Sequence, residues 1–128
     1  MDTQASRQPL GTDDERRGLM MVELSNAMVR LYKELFGRGP TKARTDYAGP
    51  DLIVSTLECS LTRIERHMVD AGEHERLRDL RMHFQYLNES QFVKTVEQIT
   101  GRTVRAFVSG LDTKRDMAAE LFYLEPRS

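Results

Sequence analysis

Apolar residues between positions 21 and 36 recur at the spacing of a helix. They fall three and four residues apart in one stripe, with a second stripe beside it; the first stripe is Met21, Leu24, Met28, Leu31 and Leu35. Because this face is wider than a coiled-coil seam, it predicts a helix that packs on a sheet or another broad surface.

Both ends of this helix are marked in the sequence. Asp13 or Asp14 is the predicted N-cap, followed by an acidic first turn that the helix dipole favours. Gly37 predicts a left-handed C-cap, and Pro40 prevents the helix from resuming.

Strand patterns occur in two pairs. Residues 41–47 alternate in polarity, residues 48–51 have turn chemistry, and residues 52–57 read as a second strand, so we expect a hairpin. Residues 103–109 and 118–124 predict a second hairpin. In the second strand of each pair both faces are apolar, which is typical of a central strand covered on both sides.

Alternation within the third strand assigns its side chains to two faces. Val104, Ala106 and Val108 are predicted to share one face, with Arg105 and Phe107 on the other.

Two helices are predicted between the hairpins. Thr62 and Glu65 have the spacing of a capping box, and Gly72 ends the short helix that follows. A long helix then extends over residues 73–100, with a break or kink expected in the polar stretch 88–91.

The predicted order is helix, hairpin, two helices, hairpin. We therefore expect an α+β fold with a four-stranded, largely antiparallel sheet packed with helices. Residues 1–12 carry almost no apolar side chain and predict a disordered leader, so a single domain would span residues 13–126. One chain has too few helices to cover both sheet faces, which predicts a homodimer.

Composition narrows the class of protein. The 128 residues include 19 basic and 20 acidic side chains, for a net charge of −1, so nucleic acid is not an expected partner. The single cysteine excludes an intrachain disulfide and a CxxC site. No stretch resembles a signal peptide or reaches about 18 apolar residues, so a cytoplasmic protein is expected.

One segment, from Gly37 to Arg44, combines cations with glycines and contains no acid. Its functional interpretation is the site of a sensor or an enzyme that binds a small anion such as phosphate, a nucleotide or bicarbonate, or a surface for an acidic partner. The residues involved would be Gly37, Arg38, Gly39, Lys42, Arg44 and, from the next helix, Arg63. Since the segment leaves a helix C-terminus, where the dipole repels anions, a helix end followed by a solvated strand face is the favoured interpretation.

Cys59 stands between a strand and a helix start, where a thiolate is stabilised. A phosphatase-like nucleophile would require an arginine six positions later, where Glu65 stands. We therefore predict a buried, inert thiol, and no catalytic residue is assigned.

The remaining polar side chains favour structural roles. None of the three histidines has metal-ligand spacing, so no metal site and no cofactor are predicted; they are His67, His74 and His83. Glu58 and Glu65 are expected to form salt bridges with Arg44 or Arg63 rather than an acid–base pair.

Four segments resemble a small bacterial family across about residues 18–126: residues 31–44, 51–58, 99–104 and 119–126. The Gly-Arg-Gly-Pro-Thr string at 37–41 is the most specific of the shared features. The family is the MpsC-type domain of the Na+-translocating membrane-potential-generating system. The resemblance implies a soluble accessory to a membrane system that moves cations or inorganic carbon, without established catalytic residues. We thus expect a non-enzymatic, homodimeric binding protein that is a peripheral partner of a membrane transport complex.

Overall fold

The computed structural model describes residues 12–127. Within this range the elements are α1 (Asp13–Phe36), β1 (Lys42–Tyr47), β2 (Leu52–Glu58), α2 (Arg63–Asp70), α3 (His74–Leu87), α4 (Glu89–Thr100), β3 (Val104–Asp112) and β4 (Met117–Leu124). The predicted α+β class is confirmed. Apart from Thr12, the predicted leader lies outside the described residues.

Capping side chains fix where the helices begin. Thr12, rather than the predicted Asp13 or Asp14, caps α1: its Oγ1 accepts the Glu15 amide at 2.9 Å, and the Glu15 carboxylate accepts the Thr12 amide. The capping box predicted at Thr62 is present at the start of α2.

Asn88 separates the predicted long helix into α3 and α4, within the polar stretch where a break was expected. Its Nδ2 donates to the Phe84 carbonyl at 2.8 Å, the same carbonyl that accepts the Asn88 amide. The Asn88 side chain therefore provides a hydrogen bond to a carbonyl in the last turn of α3, where the helix ends.

The four strands form one antiparallel sheet in the order β1-β2-β4-β3. The second strand of each hairpin is thus central, as the two-faced apolar pattern predicted. Helix α1 packs on β1 and β2, while α3 and α4 pack on β3. Helix α2 packs on α3 and has no buried residue of its own.

The hydrophobic core lies between the helices and one face of the sheet. Its sheet side consists of alternate residues, including Ile53 and Leu57 of β2 and Phe122 of β4. Phe92 of α4 stacks on Phe107 of β3 with a centroid distance of 5.5 Å. Each strand therefore gives one set of side chains to the core and the other set to the opposite face.

A β-bulge between Val104 and Ala106 changes the faces predicted for β3. Val104 packs against the core cluster and Phe107 is buried in it, whereas Val108 is exposed. The assignment of Val104, Ala106 and Val108 to one face was wrong because the bulge inserts a residue that simple alternation does not anticipate.

Candidate functional site

The cations of the Gly37–Arg44 segment have separate partners. Arg38 Nε donates to the Cys59 carbonyl at 3.2 Å, and Arg44 Nε pairs with Asp46 at 2.8 Å. Lys42 faces Glu58 across the β1–β2 ladder, with 4.0 Å between the charged atoms. Arg63 lies exposed at the first position of α2. Anion binding by these residues stays a prediction.

The two glycines of this segment have structural explanations. Gly37 adopts a left-handed conformation with φ of 79° and caps α1, as predicted. Gly39 lies against the same helix, so that a Cβ placed there would be 3.1 Å from Val29 Cγ1 and 3.2 Å from the Val29 carbonyl oxygen. The segment is therefore a helix end that folds back closely on its own helix.

A row of polar side chains crosses the middle of the buried sheet face. Thr45, Ser55, Glu120 and Ser109 are successive cross-strand partners on β1, β2, β4 and β3, and all four are buried. Thr45 Oγ1 and Ser55 Oγ are 2.8 Å apart, and Ser25 of α1 donates to Thr45 at 2.9 Å. We call these four residues the polar row.

Glu120, at the centre of the polar row, is held by the helices through one oxygen. Its Oε2 accepts the Tyr32 hydroxyl and Gln85 Nε2, the latter at 2.6 Å. Gln85 also donates to the Tyr32 oxygen at 2.9 Å. The other carboxylate oxygen, Oε1, and Ser109 Oγ are both buried, and neither has a hydrogen-bond partner among residues 12–127.

Burial raises the pKa of Glu120 to about 7, because the charged form loses its hydration. The Ser109 hydroxyl beside it, the hydrogen bonds from Tyr32 and Gln85, and the charge of Arg81 act in the opposite direction and only partly offset burial. Burial and the neighbouring carboxylate also raise the pKa of Tyr32 well above its ordinary value.

Arg81, one turn before Gln85 on α3, connects this region to α2. Its guanidinium donates to Glu65 Oε1 at 2.6 Å and Oε2 at 2.7 Å, and to the Ser60 carbonyl at 3.0 Å. The Phe36 ring lies 3.8 Å from the guanidinium carbon. Although burial acts to raise the pKa of Glu65, the bonds from Arg81 lower it overall.

We call Glu120 and the helix side chains around it, Tyr32, Arg81 and Gln85, the polar centre. It was not identified from the sequence. Glu120 has the same strand parity as Phe122 and Leu124, so its place on the buried face could have been detected as a charge in an apolar series. Arg81 and Gln85 follow the buried Leu77 at intervals of four, which gives a similar signal on a helix.

Several predicted side-chain environments need correction. Glu65 pairs with Arg81 instead of Arg44 or Arg63, and Glu58 faces Lys42. Both predicted pairs were wrong because the true partners come from distant parts of the chain or from across the hairpin.

Cys59 is exposed, so the prediction of a buried thiol was also wrong. The residue adopts a φ of 61° where the chain turns from β2 towards α2. Its successors Ser60 and Leu61 occupy the buried positions instead.

The histidines do not converge. His67 and His83 lie on exposed helix surfaces, and the His74 carbonyl accepts a hydrogen bond from Thr113. In residues 12–127 no group of three or more His, Cys, Asp or Glu side chains is arranged to hold a metal ion.

The sheet face opposite the helices is apolar at its centre, and we call it the open sheet face. Neighbouring outward side chains from three strands form it: Leu52, Val54, Ala106, Val108, Met117, Ala119, Leu121 and Tyr123. No described helix covers them, and Val108 and Met117 remain 43% and 48% exposed. Over the described residues a single chain thus leaves one sheet face uncovered, as its small number of helices predicted. Lys42, Arg44 and Asp46 of β1 form a charged rim.

A cleft of about 790 Å³ lies between the start of α1, the β1–β2 turn and the C-terminal residues. Its central cation, Arg102, donates to the Pro50 carbonyl and to Asp51 at 2.6 Å each, and to the Glu125 carbonyl at 3.0 Å. Arg17 lies 4.5 Å above the Tyr47 ring. Through these contacts Arg102 and Arg17 join the chain segments that surround the cleft.

Comparison with known proteins places the chain in a family. The family model described as Na+-translocating membrane potential-generating system (MpsC) matches residues 16–126. No curated protein and no solved structure matches the chain. None of the helices within residues 12–127 is both long and apolar enough to cross a membrane. The match confirms the resemblance predicted from the sequence, and the chain belongs to the MpsC family of the Na+-translocating membrane potential-generating system.

Proposed function

We propose that this MpsC-family protein is a soluble, cytoplasmic accessory component that acts by binding rather than catalysis. In this proposal it functions as a homodimer joined through the open sheet face, and the dimer is a peripheral partner of a membrane transport complex. The family match supports the assignment to the membrane-potential-generating system. The observation that supports the homodimer is the open sheet face.

The open sheet face has the composition of a protein interface. Its centre is a continuous group of aliphatic side chains and one tyrosine, contributed by β2, β4 and β3. Charged side chains are confined to the rim along β1 and to the strand ends. An apolar centre surrounded by a polar rim is typical of surfaces that exclude water on association.

Charge at the rim favours a second copy of the chain as the occupant. Lys42 and Arg44 contribute two positive charges, while Asp46, Glu58 and Asp112 contribute three negative ones. A surface with both signs can be matched by its own two-fold copy, whereas a rim of one sign would favour an oppositely charged partner.

A binding role agrees with the state of the candidate chemical groups. Arg38 and Arg44 are engaged by protein groups, and Glu120 has no exposed surface through which a substrate could reach it. The open sheet face, in contrast, is accessible, with Val108 and Met117 exposed at its surface.

Light scattering after size exclusion tests the homodimer. The wild-type protein is expected at about 30 kDa, twice the 14.8 kDa of the chain, at micromolar concentration. Val108→Lys, which places a charge at the centre of the open sheet face, is expected to give a monomer. Val22→Lys is the matched control, because Val22 is 59% exposed on α1 and lies away from this face.

Two outcomes would contradict this proposal. One is a wild-type protein that remains monomeric at micromolar concentration. The other is a Val108→Lys variant that keeps the dimeric mass while circular dichroism shows an intact fold.

A further inference from the structure

Glu120 is a buried carboxyl group without a cation of its own. The charged and titratable groups nearest to it come from the helices: Tyr32 of α1 and Arg81 of α3. Arg81 is bonded to Glu65 of α2, so this cation already has a carboxylate partner. Counting Arg81 as positive and both glutamates as negative leaves one negative charge in the buried group.

In the part of the chain that the structure describes, the other elements packed around Glu120 supply no compensating charge. Its cross-strand neighbours are Ser55 on β2 and Ser109 on β3, both neutral. The buried residues of α4 are Phe92 and Val96, both apolar. An ionised carboxylate in such surroundings is costly unless it is paired or takes up a proton.

The two oxygens of Glu120 differ in a way that identifies where a proton would be held. Oε2 accepts two hydrogen bonds, from Tyr32 and Gln85. Oε1 accepts no well-formed hydrogen bond within residues 12–127, although the Ser109 hydroxyl, directly opposite in the β3–β4 register, is close enough to oppose the rise in the Glu120 pKa. A proton on Oε1 would remove the buried charge and leave Oε2 available to both donors, although these hydrogen bonds are weaker to a neutral carboxyl than to a carboxylate.

We propose that Glu120 is a proton-binding site, with the proton held on Oε1 beside Ser109, and that proton binding stabilises the packed helices and sheet by removing a buried charge. Within residues 12–127, Glu120 is the only residue of β4 whose side chain is hydrogen-bonded to both α1 and α3. Its charge state therefore acts directly on the contact between the two layers.

The direction of the pH effect follows from the pKa values. In the unfolded chain Glu120 has the ordinary pKa of 4.5, and in the folded protein the pKa is about 7. The folded state thus binds more protons between these values, so its stabilisation is complete below pH 4.5 and is lost as the pH rises to 7. Across this window the folding equilibrium constant should fall by up to about tenfold per pH unit.

Carboxyl ¹³C chemical shifts test the site in the wild-type protein. The Glu120 resonance, assigned as the signal that disappears in Glu120→Gln, is expected to titrate with a midpoint near 7. A midpoint at or below about 4.5, the ordinary glutamate range, would overturn the proposal. This measurement does not depend on the stability of a variant.

Urea unfolding between pH 5 and 8 tests the link to the fold. The wild type should lose stability as the pH rises. Glu120→Gln carries an N–H donor in place of the acid proton and does not titrate, so its stability should not show this loss. Glu34→Gln, the same change at an exposed site on α1, should show the same loss as the wild type. All three proteins are compared at one protein concentration, since self-association also shifts stability. Equal pH dependence in wild type and Glu120→Gln would refute the link.

Sodium chloride and choline chloride at equal ionic strength separate a proton site from a Na+ site. At pH 8 the melting temperature of the wild type is expected to be the same in both salts. A rise specific to Na+, absent from Glu120→Gln, would overturn the proposal in favour of a metal cation at the same oxygens.

Discussion

Glu65 and Arg81 form an ion pair with two hydrogen bonds, at 2.6 Å to Oε1 and 2.7 Å to Oε2. The same carboxylate accepts the Thr62 amide at 2.8 Å in the capping box of α2. Since α2 has no buried residue, this pair is a main attachment of that helix to the rest of the domain.

Glu65→Gln should destabilise the protein strongly. It removes the negative charge bonded directly to the buried Arg81 guanidinium, whose side chain is 2% exposed. We expect the free energy of unfolding to fall by about 3 kcal/mol in urea titrations, in the range for breaking a buried ion pair. Glu34→Gln serves as the exposed control. A loss no larger than that of the control would show that the pair contributes little.

The loss of stability at acid pH should also depend on Glu65. Arg81 lowers the pKa of Glu65 in the folded protein, so the stabilisation is present above the ordinary value of 4.5 and is lost as the pH falls through the folded pKa. Unfolding measured from pH 5 to 2.5 should show a shallower decline for Glu65→Gln than for the wild type. Parallel declines would contradict the assignment.

Two glycines near α1 should respond oppositely to alanine. At Gly18 a new Cβ meets nothing within 4 Å, so Gly18→Ala should raise stability by about 0.5–1 kcal/mol through helix propensity. At Gly39 the new Cβ would press on Val29, and overpacking of this kind costs about 1–3 kcal/mol. Thermal unfolding of both variants checks the pair. Changes of the same sign would argue against close packing at Gly39.

Asp116 should be needed for its carboxylate oxygens rather than for its charge. In the β3–β4 turn, at a φ of 55°, it accepts the amides of Ser60 at 2.9 Å and Leu61 at 3.2 Å. Asp116→Ala should cost about 1–3 kcal/mol because these donors lose their acceptor. Asp116→Asn keeps an acceptor and tolerates the left-handed backbone, so it should retain most of the stability. Equal losses in urea unfolding would count against this explanation.

Arg102 should not be replaceable by lysine. Its hydrogen bond with Asp51 is the main cause that raises its pKa, and the same guanidinium bonds two backbone carbonyls. Lysine lacks the planar fork, so Arg102→Lys should lose about 2 kcal/mol of stability. Arg30→Lys on the exposed side of α1 is the control. Melting curves that coincide for the two variants would contradict the prediction.

Features that depend on neighbouring residues were predictable from the sequence. The capping box at Thr62, the left-handed Gly37 and the helix break near Asn88 each involve residues within four positions of one another. Apolar patterns were sufficient to place the longer helices and the two hairpins, whereas α2, which has no buried residue, was placed by its capping box and Gly72.

The polar centre depends on contacts that local patterns do not encode. Tyr32 and Glu120 are 88 positions apart, and Gln85 reaches Glu120 across 35 positions. The exposed position of Cys59 is set by the turn that Asp116 holds from the other hairpin, since the Cys59 amide donates to the Asp116 carbonyl. Such pairings become visible only in the folded structure, where distant segments meet.

The polar row also disfavours a wrong register between β4 and β2. Sliding β4 by two residues would keep its apolar side chains on the same face, so hydrophobicity alone would scarcely oppose the error. That shift would, however, move Glu120 from Ser55 to a position opposite Ile53 or Leu57, where an acid meets only hydrocarbon. A single carboxyl group thereby makes one alignment of the central strands far less costly than its nearest competitors.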